Sequence, residues 1–486
     1  MKALRRALFY IFLVLYLAAA PTAILYALGY IYKPGSEHGL VQSGLVSIAS
    51  TPDDALVFLG DSRYTRRTPA VLRDLLPGTY VLRLAREGSD AWQTLVEVKP
   101  ERATLIDRVL LLPAGRATRI VHDAPIDALV DDPGEERLLL VHRKRLGDAR
   151  VYDAGDRTIR PLLAAGDSPW ADATVTRLWT VRGSPCALVH ATARGDSAYL
   201  WFDLDDEDEP PLDITRLFPE PPDDVRWDPR ADDELYTRVG ERTHRLDLDA
   251  MAIFPDLAPP ARGVALNRKR LYALTGSNTL VRVERDGDAP ESNYTIPAEL
   301  AKRLDDGAHH LHPLPDDVLL LRNEDGALLA NTPPWVVLPR GVRALLPDTE
   351  EEQWLVTTER ALGLLEVVER EDDNEEEDDE EEGKKGTEIR VRWLHEHPHP
   401  IQRVAWMHDN THLLFSSEGR IWLLALERGG GGPPREIATL HRDGAFAFSE
   451  RTGDVVFLQA DRRVAAMNLL PPRSLIPLPS LEEEAE

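Results

Sequence analysis

From about Arg119 onward, this sequence repeats one unit: an apolar run, a turn rich in Asp, Pro and Gly, and a second apolar run, often with a further pair. About eight copies cover roughly 350 residues, or near 44 residues each, and a four-stranded propeller blade needs about 40–45. The copies start near Ile126, Val175, Val225, Gly263, His310, Val342, Ile401 and Gly444. Because a row of such sheets buries its faces and most of its edges by closing into a ring, residues 118–470 predict a β-propeller of seven or eight blades.

The turns between these runs resemble those of WD40-like and periplasmic TolB-type propellers. Residues 131–134 (DDPG) and 227–229 (WDP) stand where those repeats carry a Ser-Pro-Asp-Gly step, while the Gly-His…Trp-Asp pattern of WD40 is absent. The resemblance implies a fold rather than a ligand. A Rossmann or TIM-barrel alternative would require helical patterns of about 10–15 residues between strands, and none is seen after residue 33.

Residues 44–113 carry five shorter apolar runs separated by turn residues, which predicts a β-sandwich of about 70 residues. The segment resembles the PEGA domain family in three places: residues 50–55 (STPDDA), Thr68-Pro69 and residues 76–80 (LPGTY). It departs from the family where Asp53-Asp54 replaces Glu-Gly, where Arg66 replaces the usual Gly, and where Ser89 replaces an aromatic residue. The resemblance implies a small sandwich of cell-envelope and surface proteins, with no catalytic residues to transfer.

The N-terminal residues 1–33 predict a transmembrane anchor. Lys2, Arg5 and Arg6 precede an uncharged stretch of roughly 25 residues, and a helix needs about 20 to cross a bilayer. A cleaved signal peptide is the rival interpretation, but its apolar core is usually about 7–15 residues long. The basic residues before the stretch predict an inner-membrane, single-pass protein with its N-terminus inside and the bulk of the chain periplasmic or extracellular.

Charge and cysteine content exclude several classes of protein. Lys and Arg number 57 against 83 Asp and Glu, a net charge of −26, which disfavours nucleic acid as a partner. The single cysteine, Cys186, excludes a disulfide framework and a zinc ribbon. Residues 369–382 are almost wholly acidic and end in Gly-Lys-Lys-Gly, which predicts a disordered insert at residues 369–386 within one blade, and residues 471–486 predict a loose acidic tail.

No motif in the sequence assigns a catalytic residue, a cofactor or a metal site. P-loop, dinucleotide-binding, HExxH and Gly-x-Ser-x-Gly patterns are all missing. Three Gly-Asp-Ser triplets, at residues 60–62, 166–168 and 195–197, are interpreted as turns rather than as esterase nucleophile sites. Two histidine clusters could in principle bind zinc or copper, but neighbouring prolines place them in exposed loops without a complete ligand set. The clusters are His309, His310, His312 and His395, His397, His399.

Six tryptophans fall mostly on predicted strands, where packing between blades is the expected role; stacking of a few on sugars or peptides at a rim is the alternative. They are Trp179, Trp201, Trp227, Trp354, Trp406 and Trp422.

The combined features favour a non-enzymatic, membrane-anchored binding or scaffold protein of the bacterial cell envelope, with an unidentified protein or glycan as partner. An envelope enzyme that acts on glycans in the propeller funnel is the alternative, and a propeller facing the cytosol is a third hypothesis.

Overall fold

Side chains that alternate between apolar and polar favour strands, and strands dominate this chain. The computed structural model describes residues 2–27, 30–32, 40–100, 102–131, 137–142, 145–163, 169–180, 186–204, 206, 209–228, 231–266, 270–284, 290–297, 310–313, 319–322, 328–330, 336–338, 341–348, 353–369, 387–427, 431–442 and 444–470. Within those residues one N-terminal helix precedes strands β1–β41, interrupted only by a 3₁₀ turn at Ile214–Leu217. The all-β prediction for the chain beyond the helix is therefore confirmed.

Helix α1 spans Lys2–Ala27 and contains Pro21. The large apolar side chains from Phe9 to Leu17 are exposed along it. Across the described residues, no helix has the combination of length and apolar character that crossing a membrane requires. The predicted anchor is thus not confirmed. A short hairpin pairs β1 (Tyr30–Tyr32) with β2 (Leu40–Gln42).

The small domain that follows is a sandwich of two sheets, with strand orders β6-β3-β9 and β5-β4-β7-β8. Its strands are β3 (Gly44–Thr51), β4 (Leu56–Leu59), β5 (Ser62–Arg67), β6 (Ala70–Leu75), β7 (Gly78–Ala85), β8 (Trp92–Val98) and β9 (Ala103–Leu110). The inward side chains of both sheets form one core, which includes Val46, Val57, Leu82 and Val96. Five of the seven strands match the predicted apolar runs; the polar β5 and the interrupted β6 were not predicted.

Hydrogen bonds explain the roles of two short segments of this sandwich, Thr68-Pro69 and residues 76–80. The buried Thr68 Oγ1 accepts from the backbone N–H of Ala55 at 2.9 Å and lies 2.7 Å from Ser50 Oγ. The hydroxyl of Tyr80 donates to the carbonyl of Leu76 at 2.8 Å and closes the turn before β7. The two segments therefore fix the entries to strands on either side of the core.

Residues Thr118 to Asn468 contribute eight four-stranded antiparallel sheets within the described part of the chain. Seven of them use four consecutive strands each, in the order of the sequence. They are β11 (Ala128–Asp131), β12 (Arg137–His142), β13 (Arg145–Asp153), β14 (Thr158–Pro161); β15 (Thr174–Thr180), β16 (Cys186–Ala193), β17 (Asp196–Asp203), β18 (Leu212–Asp213); β19 (Asp224–Asp228), β20 (Ala231–Val239), β21 (Arg242–Asp247), β22 (Ala252–Phe254); β23 (Ala261–Leu266), β24 (Arg270–Thr275), β25 (Thr279–Glu284), β26 (Pro290–Thr295); β27 (His310–Pro313), β28 (Leu319–Arg322), β29 (Leu328–Ala330), β30 (Val336–Leu338); β31 (Ala344–Pro347), β32 (Trp354–Thr357), β33 (Ala361–Glu369), β34 (Thr387–Glu396); and β35 (Arg403–Met407), β36 (His412–Ser417), β37 (Arg420–Ala425), β38 (Arg435–Thr439).

The remaining sheet closes the ring. It joins β10 (Thr118–His122), from the start of the propeller, to β41 (Val464–Asn468), β40 (Asp454–Leu458) and β39 (Phe446–Phe448) from its end. In this closing blade Thr118 pairs with Met467, and the buried Asp454 accepts from Arg119 and Arg157. We count this closing blade as the first, so that β11–β14 form the second blade and β35–β38 form the eighth. Apolar clusters join the closing blade to the second blade on one side and to the eighth on the other. The prediction of a seven- or eight-bladed propeller is confirmed, with eight blades.

The acidic insert lies between two strands of the seventh blade, β33 and β34, as the sequence predicts. The predicted disorder of residues 369–386 is wrong at Glu369, which ends β33. Residues 370–386 and the tail, residues 471–486, lie outside the described residues.

Candidate functional site

The sandwich and the propeller share a strand end whose side chains alternate between two cores. Leu111 packs in the core of the sandwich, whereas Leu110 and Leu112 pack with the eighth blade and the closing blade. Leu112 is only 1% exposed. The backbone N–H of Leu111 also donates to Thr51 at 2.8 Å, and the carbonyl of Leu112 accepts from Asp90 at 2.8 Å. The two domains are therefore packed on each other at this point, not merely joined by a linker.

A groove of about 720 Å³ opens where the sandwich meets the eighth blade. One wall belongs to β7, β8 and the end of β9, and the other to β36, β37 and the connection that leads into β38. The lining residues include Val81, Leu95, Leu110, Leu112, Leu423, Ala425, Pro433 and Pro434. Most of these side chains are aliphatic, which suits an apolar ligand surface.

Two of the lining side chains are unusually exposed for their size. Leu95 is 70% exposed and Val81 is 47% exposed. They lie directly opposite each other on β8 and β7, so their side chains share the outer face of one sheet. On the same face the Arg83 guanidinium lies over the Phe58 ring, 4.4 Å from its centroid. An apolar pair that faces solvent beside a groove is a feature of interaction surfaces.

Asp90 lies beside the groove: it precedes the lining residue Ala91 and pairs with the lining residue Arg435. Its carboxylate accepts a hydrogen bond at 2.6 Å from Arg116, which lies in the segment between β9 and β10, and it forms a second ion pair with Arg435 at the start of β38. Burial acts to raise the pKa of Asp90, but the hydrogen bonds and charges of Arg116 and Arg435 outweigh burial and lower it below its ordinary value. A further bond runs from Arg108 to the carbonyl of Asp409 at 3.0 Å. These polar contacts fix the position of the sandwich on the blade.

His412 lies in the lining on the propeller side and is 2% exposed. Burial, together with the neighbouring His408, lowers the pKa of His412 to about 3. Its Nδ1 lies 3.0 Å from Thr411 Oγ1. The imidazole is therefore neutral at physiological pH, and this wall of the groove carries no charge from it.

The structure contradicts the exposed-loop assignment for members of both histidine clusters. His309 lies outside the described residues, and His310 and His312 belong to strand β27 rather than to a loop. The assignment of the second cluster to an exposed loop was wrong for two of its members: His395 lies in β34, and His397 is buried at 6% exposure against Phe415 and Trp422. The prolines end the strand after His395 instead of keeping the histidines at the surface.

In this second cluster His395 Nε2 and His397 Nδ1 are 3.2 Å apart, and burial lowers the pKa of both rings. Within the described residues, no three or more His, Cys, Asp or Glu side chains are grouped so that they could hold a metal ion. The expected absence of a metal site stays a prediction.

Carboxyl groups with displaced pKa values bear on the alternative of a glycan-acting enzyme, which requires an acid whose pKa is raised. In the described part of the chain, the displaced carboxyls are Asp90, Glu366 and Asp461, and each has a lowered pKa. Hydrogen bonds from Arg390 and Arg392 lower that of Glu366, and those from Arg463 lower that of Asp461. None of the three has the property of a general acid.

The remaining candidate residues are structural. Gly60-Asp61 forms the turn between β4 and β5, and Gly195 lies in the turn before β17, which confirms two of the three Gly-Asp-Ser interpretations; residues 166–168 lie outside the described residues. Tryptophans pack against the apolar clusters of the third, fourth, seventh and eighth blades, which confirms inter-blade packing for most of them: Trp179, Trp201, Trp227, Trp406 and Trp422. Trp354 lies in a cluster of the seventh blade itself.

No residue of the groove was predicted from the sequence, because the two walls come from segments about 300 residues or more apart along the chain. Leu95 was placed on a strand correctly, whereas the predicted strand that ran to Leu112 ends at Leu110. Nothing local distinguishes the outward Leu95 from an inward neighbour. The one available signal was the uninterrupted run Leu110-Leu111-Leu112, since a strand end that is apolar on both faces is buried on both sides.

Comparison with known proteins supports the assignment of the small sandwich. The family model described as PEGA domain matches residues 43–111, which confirms the resemblance predicted for residues 44–113. No curated protein is significantly similar to the chain. Solved structures similar to it include the C-terminal WD40 domain of Sif2, with a TM-score of 0.46 and 9% identity over 73% of this chain and 99% of that one. Another is the β-propeller domain of Cps50 (Swd1) from Myceliophteria thermophila, with a TM-score of 0.37 and 10% identity over 73% and 99%. The propeller assignment itself depends on the sheet order of this chain.

Proposed function

We propose that this protein is a binding scaffold of the cell envelope and that the groove between its PEGA domain and its eighth blade binds a partner protein. A PEGA domain and a propeller together suggest interaction rather than chemistry. The observation that carries the proposal is the exposed pair Leu95 and Val81 at the edge of an aliphatic groove. A buried apolar centre with a polar rim is the usual arrangement of a protein interface, and the Asp90 ion pairs supply such a rim.

Site-specific photo-cross-linking of the full chain in its host tests this proposal. A photoreactive residue at position 433, in the groove wall, should capture a partner protein, and the same residue at position 253, an exposed site on β22, should not. Leu95→Glu should abolish the capture, since it places a charge among the aliphatic side chains. Equal capture from both positions, or capture that survives Leu95→Glu, would refute the groove as the binding site.

Helix α1 carries the second part of the proposal, attachment to a membrane with the propeller outside the cytoplasm. Its support is the exposed apolar surface from Phe9 to Leu17 and the three basic residues before it. Carbonate extraction of membranes should leave the full chain in the pellet and release a chain that lacks residues 1–33. Release of the full chain would refute attachment, and a propeller that protease reaches only after lysis of the inner membrane would refute the orientation.

A further inference from the structure

Strand β8 is the edge strand of its sheet and pairs only with β7 in that sheet. A hydrogen bond between β7 and the turn after β4 shows which way the backbone N–H and C=O groups of β8 point. The carbonyl of Val81 accepts from the N–H of Gly60 at 2.9 Å, so it points toward β4. Residues that oppose each other in an antiparallel pair either exchange both hydrogen bonds or make neither. Because Leu95 lies opposite Val81, the N–H and C=O of Leu95 point away from β7.

A second bond gives the same direction two residues later. The carbonyl of Glu97 accepts from Thr104 Oγ1 at 3.0 Å, on the side away from β7. By the two-residue period of a strand, the backbone groups of Gln93 point the same way. Among the described residues, no backbone partner is found for the outward groups of Gln93 or Leu95. Within the part of the chain that the structure describes, the edge is therefore covered near Glu97 and bare at Gln93 and Leu95.

The bare part of this edge lies in the groove, whose lining includes Gln93, Leu95, Pro433 and Pro434. The prolines of the opposite wall have no N–H, so they cannot donate to the edge of β8. An edge strand with free backbone groups is a template for another strand. A second polypeptide strand matches it, since its own N–H and C=O groups recur at the same spacing of about 6.6–6.8 Å for every second residue.

We propose that the groove binds an extended segment of the partner protein, which adds to the sheet as a strand beside β8. This inference depends on the proposed function and names the form of the ligand. The backbone of the segment pairs with Gln93 and Leu95, and its apolar side chains, at every second position, pack on Leu95 and Val81. Basic residues flank the segment, because the net charge of −26 repels acidic ones.

The probe that tests this inference is a displayed library of random linear peptides about ten residues long, enough to span the seven residues of β8 at ~3.3 Å per residue. The library is selected on the full chain, and the peptides that Leu95→Glu fails to bind are synthesised. Each peptide is methylated on its backbone nitrogens either at the odd or at the even positions. One of the two methylated forms should bind at least about tenfold more weakly and the other nearly as well as the parent, because only one set of peptide N–H groups faces β8.

A pair of variants at one position provides the matched control on the protein side. Gln93→Pro removes the outward N–H, while the hydrogen bonds between β7 and β8 remain because that N–H does not take part in them. Gln93→Ala removes the same side chain and keeps the N–H. We expect Gln93→Pro to weaken peptide binding about tenfold and Gln93→Ala to leave it within about twofold. Amide hydrogen exchange at Leu95 should slow when the peptide binds, in wild type and in Gln93→Ala.

The outcomes separate this inference from the proposed function. If Leu95→Glu abolishes binding, but neither backbone methylation nor Gln93→Pro has an effect, strand addition is wrong and the groove remains a binding site. If no selected peptide depends on Leu95, strand addition is also wrong. If Leu95→Glu also leaves capture of the partner intact, both proposals fail.

Discussion

Replacement of His412 by glutamine should make the protein markedly less sensitive to acid. The unfolded chain takes up a proton on this histidine below its ordinary pKa of 6.5, but the folded chain does so only near pH 3. The folded state therefore loses stability relative to the unfolded state as the pH falls from about 6.5 towards 3. With those two pKa values, the loss between pH 7 and pH 5 is about 2 kcal/mol from this residue alone.

Urea unfolding at pH 7 and pH 5, followed by tryptophan fluorescence, measures this loss directly. His412→Gln keeps a polar group beside the Thr411 hydroxyl and removes the titration, so the pH difference in unfolding free energy should shrink by about 2 kcal/mol. His399→Gln is the matched control, because His399 is an exposed histidine in the connection that leads into the blade of His412, paired with Glu418. If His412→Gln keeps the full wild-type difference, burial of a neutral imidazole beside the groove is not what makes the fold sensitive to acid.

Part of the acid sensitivity should survive in that variant, since burial also lowers the pKa of five other histidines. They are His122, His190, His244, His395 and His397. Their contributions have the same sign as that of His412, so the wild-type protein loses more stability than one residue explains.

Three further predictions concern the junction and the sandwich, and each is measured by chemical unfolding of the full chain. Leu112→Ala should cost about 2–5 kcal/mol because it empties a site shared by both domains, whereas Leu95→Ala should change stability by less than about 0.5 kcal/mol; equal effects would contradict the packing. Thr68→Val should cost about 1–3 kcal/mol because it leaves the N–H of Ala55 buried without an acceptor, and Thr68→Ser should restore most of the loss; a harmless Thr68→Val would refute that account. Asp90→Asn should cost on the order of 0.5–1 kcal/mol at pH 7, and the cost should shrink as the pH falls below the ordinary Asp pKa of 3.8, since the lowered pKa stabilises the fold only while the carboxylate is charged; an unchanged cost at low pH would contradict this.

Most of the architecture could be predicted because each blade is specified locally. The repeat starts at Gly263, His310, Val342, Ile401 and Gly444 each fall within or next to the first strand of a blade. A strand, a tight turn and a second strand lie close together in sequence, and their apolar period records their burial. Thr68 and Tyr80, from the two PEGA-like segments, likewise form hydrogen bonds with residues that are close to them in the sequence.

What the sequence did not reveal depends on residues that are distant along the chain. Strand β10 pairs with β41, with Thr118 opposite Met467. A five-residue strand has no sequence feature that predicts a partner so distant along the chain. His397 was assigned to the surface because its neighbours are prolines, yet its burial depends on Phe415 and Trp422 from other strands. The outward direction of the Leu95 side chain depends on how β7 and its neighbours pair in the sheet. A single alternating run of residues does not specify that pairing.

The same long-range pairing explains why the groove belongs to neither domain alone. The PEGA domain supplies one wall, with the bare edge of β8, and the eighth blade supplies the opposite wall. Neither domain forms the groove by itself. Leu110 and Leu112 set the distance between the two, because they are buried in the propeller core while Leu111, on the same strand end, is buried in the sandwich. A shift of the sandwich by one residue would exchange these two sets of side chains between cores, so the strand end fixes the register as well as the contact. The width of the groove is thus determined by packing, and a ligand that fits it recognises both modules at once.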